Sequence, residues 1–119
     1  MEEAAFLFER SNFFTASVYL AGYAVECALK AVILANTPAS KHKETKDSFR
    51  GKVAHNYDWL RHLVRKRKVV IPEEVIRSLG NANWWGTELR YQSSQVERRE
   101  CERFLEAAQI IVSWGGRSI

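Results

Sequence analysis

Arg61, Arg65 and Lys68 recur at i, i+4 and i+7, with Lys66 and Arg67 beside them. On a helix this spacing lines up cations on one side, a strip that grips phosphates by charge and loses affinity steeply as salt rises. The same run also reads as a solvated face that keeps the chain in solution. Farther along, Trp84, Trp85 and Tyr91 bracket Arg90. Rings beside a guanidinium can stack a nucleobase; two adjacent tryptophans can equally divide between the core and a bundle end, or meet a second copy. Glu26 precedes Lys30 by four residues inside an apolar stretch, the favourable order for a helical pair that neutralises two partly buried charges.

Charge is unevenly distributed around these groups. The 119-residue chain carries a formal +4. Between Lys41 and Lys68, ten basic residues face three acidic ones, a net of +7 that leaves −3 for the rest. The field therefore has a positive side. With 46% hydrophobic residues and six glycines, the composition supports one domain with a real core and excludes collagen-like, low-complexity and disulfide-scaffold classes. Cys27 and Cys101 are far apart and have no second cysteine or histidine at ligand spacing, so neither a metal site nor a cofactor is expected. Both read as buried thiols in a reducing, cytoplasmic setting. The opening Met-Glu-Glu-Ala-Ala lacks the basic start of a secretory signal.

The elements that must position these residues are helical. Ala4 to Phe8 starts a short first helix ending near Ser11-Asn12, and Asn12 caps a second from about Phe13 to Ala35. That second stretch is long and apolar enough to cross a bilayer, but Glu26 and Lys30 inside it favour the central helix of a bundle. Gly22 would let a neighbouring backbone approach it closely. Asn36 to Ala54 is polar, contains Pro38, and is expected to be a mobile basic loop. A third helix spans about Asn56 to Arg67, and Val69 to Ile71 form an extended link. Pro72 with Glu73 and Glu74 opens a fourth helix, which fades between Gly80 and Gly86. The last helix opens at Ser93 or Ser94, carries Cys101, Phe104, Leu105, Ala108 and Ile111 as its apolar stripe, and ends at Gly115-Gly116. The expectation is a single all-α domain over residues 1–119, an up-and-down antiparallel bundle of about five helices.

Tyr19-Leu20-Ala21-Gly22-Tyr23-Ala24-Val25-Glu26-Cys27-Ala28-Leu29-Lys30-Ala31 resembles the second helix of HEPN domains. His55 opening the third helix, the Leu89-Arg90-Tyr91 triplet and the helix beginning near Ser94 also fit, so the resemblance covers nearly the whole chain. It implies a compact helical domain that forms homodimers and binds RNA or nucleotides. Many such domains are metal-independent ribonucleases of toxin–antitoxin systems; others partner small nucleotidyltransferases. In active members an arginine and, a short spacer later, a histidine meet their copies across the dimer cleft, setting a cation against the scissile phosphate and an imidazole to move protons.

Arg90 matches the family arginine, but Gln95, Val96 and Glu97 stand where the histidine would fall, and no histidine follows His62. Arg50 and His55 have the spacing, in the segment before the third helix instead; otherwise His55 reads as a cap on that helix. The resemblance also implies that Glu26 holds Arg90, with Lys30 and Tyr91 in support. Three functions follow. The first is a homodimeric RNA- or nucleotide-binding domain working with a nucleotidyltransferase or in a toxin–antitoxin system, its expected histidine missing. The second is an endoribonuclease using Arg90 with His55. The third is a structural interaction module with no membrane role.

Overall fold

The computed structural model describes residue 3 and residues 14–51, 56–82 and 98–119. Five α-helices occupy these residues: α1 (Phe14–Ala35), α2 (His42–Ser48), α3 (Tyr57–Lys66), α4 (Glu73–Ala82) and α5 (Arg98–Arg117). No strand occurs among them, and the chain is an all-α helical bundle. The expected second helix is thus α1. The expected first helix and the opening at Ser93-Ser94 lie outside the described residues.

α1 carries the core. Val18, Ala21, Val25, Leu29, Val32 and Ile33 are fully buried, a spacing of three, four and seven that aims one face inward. By length and composition Ala16–Ala35 could cross a membrane; here that inner face is covered by other helices. Asn36 and Thr37 end α1 before Pro38, which disfavours helical backbone at the residue preceding it. Thr37 Oγ1 donates to Ile33 O at 2.5 Å, a carbonyl left free because Thr37 N–H turns to Leu34 O, and Asn36 Nδ2 adds a second donor at 2.9 Å to Val32 O, which also accepts Asn36 N–H.

α5 lies along α1 in the same direction. At one end Cys101 Sγ contacts Phe14 O at 3.6 Å, and at the other Asn36 Nδ2 donates to Ser118 O at 3.3 Å. Gly115-Gly116, expected to stop the last helix, sits inside it, since α5 continues to Arg117. The physical reason at Gly115 is packing, because a Cβ there would stand 3.1 Å from Ala28 Cβ. The glycine lets the two helices close together.

α3 is anchored to α1 by Tyr57, whose hydroxyl donates to Gly22 O at 3.1 Å. Its N-cap is Asn56, whose Oδ1 accepts from Trp59 N at 3.1 Å, while His55 lies outside the described residues. The largest difference from expectation lies in residues 36–51 of the supposed loop, the rest of which is outside the described residues. A 3₁₀ turn over Ala39–Lys41 leads into α2, so a helix stands where a mobile loop was expected. Thr45 is buried under it, His42 Nε2 lies 2.8 Å from Thr37 O, and Ser48 Oγ donates to Thr45 O at 2.6 Å. Glu44 in the first turn and Lys46 in the last also suit the helix dipole.

The cysteines differ from each other. Cys101 is fully buried as expected, whereas Cys27 is exposed, because α1 is apolar on its outward side as well. Burial, then the neighbouring Glu102 carboxylate, pushes the Cys101 thiol up to about 11. At neutral pH it is protonated and inert. Iodoacetamide should therefore modify one thiol per folded chain, on Cys27, and two after denaturation; mass spectrometry showing Cys101 labelled in the folded protein would contradict this burial.

Candidate functional site

Two contacts join the chain segment bearing α2 to the one bearing α3. At one end Arg67 Nε donates to Thr37 Oγ1 at 3.0 Å, and its Nη1 donates to Leu63 O at 3.3 Å. At the other, the Phe49 and Trp59 rings meet edge to face, with centroids 6.2 Å apart and planes at 90°. The two halves of the basic segment thereby occupy adjoining surface.

The cations on this surface are unequally committed. Arg50 reaches Asp47 at 3.4 Å and Arg61 reaches Asp58 at 3.5 Å. Arg67 is half-buried and turned onto Thr37 and Leu63, a structural task. By contrast Lys41, Lys43, Lys46, Arg65, Lys66 and Lys68 are exposed and make no ion pair among the described residues. Helical spacing was expected to align Arg61, Arg65 and Lys68. α3 stops at Lys66, however, so Lys68 is placed by the turn that follows.

That turn is unusual for a lysine. Lys68 has φ of 60°, the left-handed conformation that normally favours glycine after a helix, and its N–H donates to Arg65 O at 2.9 Å. Replacing it with glycine should leave the fold as stable or stabilise it by up to about 1 kcal/mol. If Lys68 contacts phosphate, the same change weakens RNA binding; thermal melts and a binding titration on Lys68→Gly separate the two effects.

On the other side of Phe49, Lys30 Nζ stands 5.6 Å from the ring centroid and 3.9 Å from Glu26 Oε2. Glu26 is 3% exposed, so this carboxylate is inside the bundle while Lys30 reaches its edge. The acid–lysine pair expected four residues apart is present.

The HEPN domain family model matches residues 1–119, the whole chain. The chain belongs to the HEPN family. No curated protein and no solved structure matches it. The sequence candidates Arg90, His55 and Tyr91 all lie outside the described residues, as do Trp84 and Trp85. The structure brings together Glu26 and Lys30 on one helix, and Arg65, Lys66 and Lys68 around the end of another. Among the described residues, no group of three His, Cys, Asp or Glu side chains is placed to hold a metal ion.

The sequence reading missed the Phe49–Trp59 contact. Trp59 falls within the expected third helix and Phe49 within the expected loop. Its sequence signal is no more than two large aromatics at either end of a mixed stretch, which also holds Val53, Ala54 and Tyr57, within a basic run.

Proposed function

We propose that this HEPN domain binds RNA through its phosphates, on the surface built by α2, α3 and the turn after α3. The supporting observation is the set of exposed lysines and arginine without ion-pair partners described above. The family includes nucleotide-binding and RNase-like modules, so the reading fits its range. The protein acts as a cytoplasmic homodimer, alongside a small nucleotidyltransferase or within a toxin–antitoxin pair. With no histidine after His62, the arginine–histidine arrangement cannot be completed from Arg90 onward, and binding dominates over cleavage.

A salt titration tests this directly. If about four cations engage phosphates of a single strand, log K should fall with log salt with a slope of about −3. Absence of binding even at low ionic strength would end the proposal. Light scattering on the same sample reads the dimer.

A further inference from the structure

We infer that the Phe49–Trp59 pair is a stacking platform for an unpaired nucleobase of the bound RNA. This rests on the preceding reading and adds the form of nucleic acid that the surface selects.

Placement comes first. Phe49 closes α2 and Trp59 lies in the first turn of α3, so the ring pair stands where the two cationic segments meet. Both rings are only half-buried. The core they pack against includes Leu60 and Val64 on α3 and Leu29 and Ile33 on α1, all fully buried. Both aromatics therefore pack against the core at its edge without being sealed inside it.

Their neighbours are the second observation. Trp59 and Lys66 are seven residues apart on α3, two turns along the same side, a separation of about 10 Å. A strand with a phosphate at Lys66 thus runs within reach of Trp59. From α1, Lys30 Nζ already stands over the Phe49 ring, a cation placed against the same aromatic cluster. Aromatic rings set into a positively charged groove hold single strands, since every base offers a face to stack. A duplex keeps its bases stacked inside and would engage the cations alone.

The ring pair and the cations make separable contributions, and this defines the test. Trp59→Leu, Trp59→Phe and the wild type are titrated with a single-stranded uridine decamer, a decamer RNA duplex and uridine monophosphate, with circular dichroism to verify helicity. Trp59→Leu should weaken the single strand about tenfold with its salt slope unchanged. Duplex binding should be unaltered, and Trp59→Phe should retain most of the single-strand affinity. Unchanged single-strand binding by Trp59→Leu overturns the platform while leaving the phosphate surface intact. Equal losses on single strand and duplex also overturn it, since they mark Trp59 as a packing residue. Uridine monophosphate binding as tightly as the decamer overturns the strand as ligand. A wild type that binds neither RNA defeats the phosphate reading itself, and the platform with it.

Discussion

Substituting Arg65→Glu and Lys66→Glu together should lower RNA affinity by on the order of a hundredfold at moderate salt, because two attractions are lost and two repulsions introduced. Both side chains are exposed, and neither makes an ion pair among the described residues. Their removal therefore leaves no internal charge orphaned. The two residues do occupy the last turn of α3, where cations favour the carbonyl end of the helix. Acids there should cost about 1–2 kcal/mol of stability. For that reason Arg65→Gln with Lys66→Gln is the cleaner companion, with a smaller affinity loss, a shallower salt slope and little change in melting temperature. An Arg65→Glu/Lys66→Glu protein that is folded and binds RNA like the wild type would remove α3 from the interface.

The second large effect is on stability. Phe104 is the largest fully buried side chain among the described residues, and it lies on α5. Phe104→Ala should destabilise the domain by about 3–5 kcal/mol, the lost transfer energy plus the cavity left in a core that only partly collapses. Set against about 5–15 kcal/mol for a domain of ordinary stability, this removes a large share of the margin. Leu105, one position on and half-buried, is the control: Leu105→Ala should cost clearly less. Urea unfolding of the two variants measures the contrast, and a Phe104→Ala loss below about 1 kcal/mol would place that ring outside the core.

Most of the helical skeleton was legible in the sequence because its signals are local. α3 begins one residue after a side-chain cap and α4 just after Pro72, and both ends of α1 fall within one residue of expectation. What was illegible depended on contacts between distant residues. α2 has no apolar period: in His-Lys-Glu-Thr-Lys-Asp-Ser only Thr45 is buried, so nothing in the string distinguishes it from a loop. Gly115 signals a helix stop by its type, whereas its role is to admit Ala28 from a helix far away in sequence. Cys27 was misplaced because α1 is apolar around its whole circumference, which hides the boundary between inside and outside.

The site divides along the same line. That Arg61 to Lys68 forms a basic strip is plain from composition, and the Glu26–Lys30 pair from its spacing. Which of those cations stay available is a property of the fold: Arg67 is turned inward to Thr37, thirty residues away, while Arg65 next to it but one is not. The roles of Arg90, His55 and Tyr91 rest on family resemblance, and these residues lie outside the described ones.

The pairing of α1 with α5 also bears on how the molecule comes into being. Phe14 and Cys101 touch although they are 87 positions apart. A ribosome delivers α1 early, and the part of its greasy inner side that α3 does not cover waits until translation reaches α5. During that interval the nascent chain is a natural client for holding chaperones, and shortening α5 should send the product to aggregates or proteases rather than to a smaller folded form.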